Sequence, residues 1–174
     1  MAKVSLTKLG LKINQEIKTI TFNEQEIEVK QYLPINDKLT IISNIINNSA
    51  DEYSFANPVK IKVFIALEII YNYTNINFTD KQKEDGAKLY DLLHSSGLIG
   101  AVYEVLPYSE REEIIDGVWD SIRSIYSYKN SVMGILDTIS TDYSNLNLDA
   151  TEIQKKIGDP ENMVLLKQVL TKLG

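Results

Sequence analysis

The stretch ITFNEQEIEVKQYLPINDKLTII, residues 20–42, changes its hydrophobic period at Pro34. Before the proline, apolar residues occupy every second position, which is the spacing of a half-buried β-strand. After it, they recur at intervals of three and four, which is the spacing of an amphipathic helix. The alternating residues are Ile20, Phe22, Ile27 and Val29, and the helically spaced ones are Leu39, Ile41, Ile42, Ile45 and Ile46. The stretch therefore predicts a β-hairpin that leads directly into a helix.

The hairpin is predicted to close through a four-residue loop, NEQE at 23–26, which places Phe22 opposite Ile27. A further strand is predicted between residues 4 and 13, where a bulge at Gly10 would absorb a slip in the alternation. Because a hairpin alone is marginal in water, this sheet must pack on helices. The predicted fold class is mainly α: a helical bundle with a small N-terminal β-hairpin or three-stranded sheet and one long heptad-patterned helix.

Two helices are predicted after the hairpin. Asn36 is the expected N-cap of the first, which runs to about Asn47. Asn57 and Pro58 have the cap and first-turn positions of the second, NPVKIKVFIALEIIYNY. The second helix is apolar on nearly every side, so we expect it at the buried centre of the bundle.

The next helix start is a capping-box spacing, TDKQ at 79–82. The helix that it opens is predicted to stop near Gly97, because glycine favours the left-handed conformation that ends helices. A short helix, LIGAVYEVL, then ends at Pro107.

The segment after Pro107 carries a heptad pattern. A second capping-box spacing, SERE at 109–112, precedes apolar positions that recur at alternating intervals of three and four, with Lys129 as an interruption. The apolar positions are Ile115, Val118, Ile122, Ile125, Val132, Leu136 and Ile139. Two interpretations stay open: one helix over 110–140, about 45 Å long, or two ordinary helices that break around SYKNS at 127–131.

The chain is predicted to form a single domain, because 174 residues are enough to bury a core without disulfides or metals. At its C-terminus, Asp149 and Asp159 have the positions of helix caps, and Gly158 separates the two helices. The predicted segments are a small β element at 1–34, a helical core at 35–106, the long helix at 107–142 and a two-helix segment at 149–174.

Composition excludes several kinds of site. The chain has no cysteine, which rules out disulfides and thiolate chemistry, and its one histidine makes a histidine-based metal site improbable. The net charge of −6 argues against direct nucleic-acid binding. The most apolar stretch, residues 59–73, contains two lysines and a glutamate and is too short to span a bilayer. No cofactor, metal, nucleic-acid or membrane partner is therefore predicted.

One catalytic arrangement has to be weighed. His94 follows Asp91 by three residues on a predicted helix, next to Ser95 and Ser96. The serines lack the strained turn of a nucleophile elbow, and neighbours in sequence rarely form a triad. We interpret His94 as a helix-end side chain that interacts with the helix dipole, and no catalytic residue is predicted.

A candidate partner-binding surface lies on the predicted long helix. Its carboxylates, opposite the heptad stripe, form either a solvated face or a docking surface for a basic partner. Lys129, at a core position of the heptad pattern, would weaken an oligomer but fix its register. Tyr126 is a candidate because tyrosines are enriched at interfaces. The candidate residues are Glu112, Glu113, Asp116, Asp120, Tyr126 and Lys129.

The hairpin ITFNEQEIEVKQYLPI running straight into NDKLTIISNII resembles the bacteriophage tail assembly chaperones and related small phage morphogenesis proteins. The resemblance covers about the first 75 residues as an order of elements, contains no diagnostic motif and carries over no functional residue. It implies a non-enzymatic protein that coats the tape measure protein. Synthesis in the host cytoplasm is predicted separately, because MAKVSLTKLGLKIN at the N-terminus contains no apolar block of signal-peptide length, and this is compatible with a virion component. The long heptad helix and the C-terminal helices depart from that pattern.

The leading hypothesis is thus a non-enzymatic protein-binding or assembly factor that acts through helical surfaces, with the tape measure or another virion protein as partner and self-association through Lys129. The alternative is a phage-encoded acidic inhibitor. It would bind a host defence or nucleic-acid-processing protein through the carboxylates of the long helix.

Overall fold

The computed structural model describes residues 3–50 and 55–145. These residues form two strands and seven helices, so the predicted mainly helical fold with a small N-terminal hairpin is confirmed. The chain divides between Ile125 and Tyr126 into two units. The elements are β1 (Ile17–Phe22), β2 (Gln25–Lys30), α1 (Ile35–Ser49), α2 (Pro58–Tyr73), α3 (Asp80–Glu84), α4 (Gly86–Ser95), α5 (Leu98–Val105), α6 (Tyr108–Lys129) and α7 (Val132–Asn145).

The hairpin closes through two residues, and the predicted four-residue loop is wrong. Asn23 and Glu24 both have positive φ angles, 47° and 64°, as in the two-residue turn whose twist matches that of the strands. Ile20 therefore lies opposite Ile27, and Phe22 lies opposite Gln25. The four apolar side chains still share one face, on which those of β2 are fully buried.

The third strand predicted between residues 4 and 13 is absent from the described sheet. Residues 6–9 form a 3₁₀ turn instead, and Gly10 ends it in the left-handed conformation with φ 58°. The sheet consists of β1 and β2 alone, and the outer side of β2 is covered by a bridge from Val29 to Thr74. Without a partner for its backbone groups, alternation by itself does not make a strand.

The helix α2 is the centre of the first unit, as predicted. The side chain of Asn57 accepts hydrogen bonds from the backbone N–H groups of Val59 and Lys60, and Pro58 occupies the first turn. Half of the helix is buried, and it packs against α1, α4 and α5. The preceding helix α1 begins two residues earlier than predicted, since Pro34 rather than Asn36 is its N-cap, and the carbonyl of Pro34 accepts the first hydrogen bonds.

The capping box of Thr79 and Gln82 is confirmed, but the helix that it opens is short. The chain turns at Asp85, whose carboxylate accepts a hydrogen bond from the N–H of Lys88 and starts α4. The turn packs against α2, since a Cβ on Gly86 would be in ordinary van der Waals contact, 3.4 Å from the ring of Phe64. The predicted end near Gly97 is confirmed, since α4 ends at Ser95 and Gly97 has a φ of 83°.

The continuous helix over 110–140 is wrong, and the two-helix interpretation is confirmed. The carbonyl of Pro107 accepts from the N–H groups of Glu110 and Arg111, so α6 already begins at Tyr108 and the predicted box of Ser109 and Glu112 does not form. At the other end, α6 stops at Lys129 and α7 starts at Val132.

Two small residues form the corner between α6 and α7. The hydroxyl of Ser131 accepts a hydrogen bond from the N–H of Gly134, 3.1 Å away. A Cβ on Gly134 would collide with the carbonyl of Tyr128, so this close approach requires glycine. The predicted two-helix segment at 149–174 lies outside the described residues.

Candidate interaction surfaces

The outer face of α6 carries the predicted acidic residues, but they are not equivalent. Glu113 turns towards Lys38 and forms an ion pair of 2.5 Å, and Asp120 pairs with Arg123 at 3.2 Å. In the part of the chain that the structure describes, no ion pair involves Glu112 or Asp116. The free negative charge of this helix is therefore concentrated at those two positions.

An aromatic side chain continues this acidic stripe. Glu112, Asp116 and Trp119 are spaced by four and three residues and therefore lie along one side of the helix. Trp119, the single tryptophan of the chain, is 36% exposed. The opposite side of the helix packs into the core through Ile114, Val118 and Ile122. We call the stripe of Glu112, Asp116 and Trp119 the α6 outer face.

Tyr126 and Lys129 lie in the second unit, at the end of α6. Tyr126 is partly exposed, and Lys129 is exposed as the last residue of the helix. The heptad seam does not continue through Lys129, because the helix ends there and Asn130 and Ser131 lie outside both helices. The assignment of Lys129 to a core heptad position is therefore wrong.

The segment before β1 is a second exposed surface, which the sequence interpretation had placed in a sheet. We call residues 3–15 the N-terminal arm. It exposes five large aliphatic side chains by 55% to 72%, with Leu9 at the lower and Leu6 and Leu11 at the upper limit. Single exposed leucines are ordinary on protein surfaces, whereas several in one short segment are typical of a binding element.

The arm also differs in charge from the remainder of the chain. It contains Lys3, Lys8 and Lys12 and no acidic residue. The chain has 18 basic and 24 acidic side chains, so the remainder has 15 and 24 and a net charge of −9. A basic apolar arm thus precedes an acidic body.

A buried ionic cluster lies where the hairpin meets the helices, and the sequence interpretation missed it. Lys38 is 2% exposed and donates a hydrogen bond of 2.8 Å to Oε1 of Glu110. The other oxygen of Glu110 accepts from the N–H of Leu33 at 3.1 Å and from the hydroxyl of Tyr73 at 2.9 Å. The cluster therefore fastens the connection after β2 and the helices α1, α2 and α6 to one carboxylate.

Electrostatics show how this cluster tolerates burial. Burial alone would lower the pKa of Lys38, but the hydrogen bonds from its ammonium to Glu110 and Glu113 outweigh that effect and raise the pKa. Burial, followed by the hydrogen bond to Glu110, raises the pKa of the Tyr73 phenol. Lys38 thus stays charged and Tyr73 stays neutral at pH 7, and both oxygens of Glu110 accept hydrogen bonds. We interpret the cluster as a structural feature that holds the packed helices together, and not as a catalytic site.

A signal for this cluster exists in the sequence. Lys38 precedes Ile41 and Ile45 by three and seven residues and so belongs to the buried stripe of α1. Glu110 likewise precedes Ile114 and Val118 by four and eight residues. A lysine on one buried stripe and a glutamate on another suggest a buried ion pair. The sequence does not show which two helices are neighbours, so it cannot assign the partners.

A second buried carboxylate belongs to Glu68 on α2, which is 7% exposed. Its side chain accepts a hydrogen bond of 3.0 Å from the amide of Asn72. Burial raises its pKa, and hydrogen bonds from Asn44 and Asn72 partly offset that effect.

His94 does not assemble the hydrolytic arrangement that its neighbours invite. Its ring stacks on Tyr90 with centroids 5.2 Å apart. The hydroxyl of Ser95 donates to the carbonyl of Asp91, and that of Ser96 donates to the carbonyl of Leu93. Each serine therefore bonds to its own helix.

A shallow groove of about 470 Å³ lies between α3 and α4. Leu89 and Leu92 form its apolar part, and Lys81, Asp85 and Lys88 are the charged residues that line it. Over residues 3–50 and 55–145, no group of three or more histidine or carboxylate side chains could hold a metal ion. The helices described there include none with the length and apolarity that crossing a membrane requires.

Comparison of the chain with protein-family models, with curated proteins and with solved structures finds no match. Functional inference therefore depends on the surfaces described above.

Proposed function

We propose that this protein is a non-enzymatic protein-binding factor that acts in the assembly of a larger structure. The observation that carries the proposal is the N-terminal arm, whose five aliphatic side chains are all more than half exposed. Their combined apolar surface is a cost in water that binding to another macromolecule removes. An exposed arm that combines lysines with aliphatic side chains fits a binding role better than a catalytic one.

The proposed mechanism is shielding. The arm covers an apolar segment of its partner until assembly replaces it, and its lysines favour partners with negative charge. We propose that the partner is the tape measure or another virion protein of a phage tail. This is supported by the resemblance to the tail assembly chaperones, which covers about the first 75 residues as an order of elements.

Co-expression with the products of the neighbouring genes tests the proposal. A variant with Leu6→Ser, Leu9→Ser and Leu11→Ser should lose at least about a hundredfold in affinity for a partner recovered with the full chain, because about 1 kcal/mol or more is lost for each buried leucine side chain. Isothermal titration calorimetry measures the loss.

The matched control is Val59→Ser with Leu92→Ser, two exposed aliphatic residues elsewhere on the surface. It should bind like the unmodified chain. The proposal is wrong if every recovered partner binds the arm variant and the control equally well.

The alternative of an acidic inhibitor is favoured by one observation, the free charges of Glu112 and Asp116. An inhibitor that uses them should lose its host target when both are changed to lysine, whereas the arm substitutions should leave that binding intact. An assembly factor that binds its virion partner through the arm shows the opposite order of effects.

A further inference from the structure

We infer that the N-terminal arm binds the α6 outer face of a second copy of this chain. The inference depends on the arm being a binding element, as proposed above, but not on any other protein. It rests on two complementary surfaces of one molecule: an exposed apolar segment with Lys3, Lys8 and Lys12, and a helical stripe with the half-buried Glu112 and the exposed Asp116.

The charges of the two surfaces are opposite in sign. The arm has three lysines, none of which forms an ion pair among the described residues. The α6 outer face has two unpaired carboxylates, and Asp120 lies beside them in an exposed pair with Arg123. Contact between the surfaces would bring the lysines of the arm close to the carboxylates of the α6 outer face, which is favourable. A surface rich in basic side chains would instead repel the arm.

The apolar parts of the two surfaces are complementary as well. Trp119 provides an aromatic surface next to the carboxylates, and it is 36% exposed. The arm alternates lysines with aliphatic side chains, so it can place apolar groups on Trp119 while its ammonium groups reach Glu112 and Asp116. Aromatic residues at the centre of a contact, surrounded by charged ones, are typical of protein interfaces.

A symmetric pair of copies comes nearer to the size of a stable interface than a single arm on a single face does. Stable interfaces bury about 800 Å² on each partner and involve about 20 to 30 residues a side. One arm on one helix face falls short of that. In a symmetric pair, each copy contributes an arm and a face, so the same contact forms twice. The root of the arm is fixed to the hairpin, since the N–H of Gln31 donates to the carbonyl of Glu16.

Trp119 gives a direct readout, because it is the chain's single tryptophan. On concentrating the full chain, we expect its emission to shift to shorter wavelength and its quenching by acrylamide to fall, together with a doubling of mass in light scattering. Salt should weaken the association, since it screens exposed charges.

Charge reversal tests the contact from both sides. The arm variant Lys3→Glu, Lys8→Glu, Lys12→Glu should raise the dissociation constant about tenfold or more, because exposed pairs turn from attraction to repulsion. The face variant Glu112→Lys, Asp116→Lys should do the same. The control Lys60→Glu, Lys62→Glu, Lys88→Glu changes the net charge by the same amount as the arm variant, at exposed sites elsewhere, and should associate more strongly than that variant.

Mixing the two variants decides between a second copy and the chain's own face. In an equimolar mixture, the acidic arm of one variant meets the basic face of the other, and the basic arm of the second meets the acidic face of the first. Association and the Trp119 shift should return. Circular dichroism establishes that both variants are folded.

Three results would overturn the inference: a single-chain mass and unchanged Trp119 emission at every concentration, an arm variant that associates no more weakly than the lysine control, or a mixture that does not recover. A monomer that still binds a virion protein through the arm would leave the proposed function standing. Association that depends on the arm but does not return in the mixture would point to another docking site. One such site is the edge of β1 that faces away from β2 in the described sheet.

Discussion

At the scale of single residues, the molecule depends most on Glu110. Its carboxylate accepts hydrogen bonds from Lys38, from the backbone of Leu33 and from Tyr73. Breaking a buried ion pair costs far more than an exposed pair contributes, because the remaining charge stays in a poorly solvating environment. The cluster therefore connects three helices and the end of the hairpin through one carboxylate.

We expect Glu110→Gln to reduce the free energy of unfolding by about 3 kcal/mol or more, since it leaves the buried ammonium of Lys38 with only the exposed Glu113. Urea denaturation followed by circular dichroism measures the change. The control Glu112→Gln removes an unpaired carboxylate two residues away and should change stability by less than about 0.5 kcal/mol. Equal effects of the two variants would contradict the role of the cluster.

The same cluster predicts a loss of stability in alkali. Lys38 and Tyr73 both have a pKa that is higher in the folded protein than in the unfolded chain, where the values are about 10.4 and 10. Their contribution is fully present below about pH 10 and is lost as the pH rises through the folded values. We expect the urea midpoint to fall above pH 10.

Tyr73→Phe provides the comparison for this pH dependence. It removes one of the two groups, so the midpoint should decline less steeply with pH, although the variant starts from lower stability because Glu110 loses a donor. A Tyr73→Phe variant with the same slope as the unmodified chain would show that other groups control the alkaline transition. Tyr103 is one such group, since burial raises its pKa to about 12.

At the scale of elements, capping side chains determine where helices start, whereas close backbone contacts determine where α6 and α7 are separated. The capping residues Asn57 and Thr79 act as their sequence predicts. The break between α6 and α7 has a different origin. Ser131 bonds to the N–H of Gly134, and the glycine lies against the carbonyl of Tyr128. The apolar pattern continues across this corner, so periodicity alone could not locate it.

Gly134→Ala should open the corner between α6 and α7, because the new methyl group would collide with backbone atoms of Tyr128 and Lys129 that cannot move aside without disturbing the helix. We expect changed backbone NMR shifts around residues 127–134. Gly100→Ala is the matched control: a Cβ there meets nothing within 4 Å, and the helix should gain about 0.5 to 1 kcal/mol. Unchanged shifts in Gly134→Ala would contradict the close contact.

At the scale of the whole molecule, the buried core and the proposed binding arm are different parts of the chain. The core of the first unit is formed by the hairpin face and helices α1, α2, α4, α5 and α6. The arm contributes no buried residue to it. This separation allows the arm to be altered for binding without loss of the fold.

Removal of residues 1–14 should therefore change the free energy of unfolding by less than about 0.5 kcal/mol. Thermal and urea unfolding of the shortened chain check this. A large destabilisation would mean that the arm packs on its own chain, and would remove the basis for treating it as a binding element.

The sequence by itself determined the mainly helical class, the hairpin at its start, the central position of α2 and the helix starts at Asn57 and Thr79. Those features depend on hydrophobic period and on capping side chains, which act over a few neighbouring residues. The acidic stripe of α6 was also readable, since a helix of known period places Glu112 and Asp116 on one side.

Tertiary structure alone decided the rest. Whether residues 4–13 form a strand depends on an available partner edge, and whether α6 continues past Lys129 depends on backbone contacts at the corner. The pairing of Lys38 with Glu110 joins residues 72 positions apart, and that separation carries no periodic signal. The exposure of the arm could not be predicted either, because its alternating apolar residues also fit a strand, and only the tertiary structure shows that residues 3–15 are exposed.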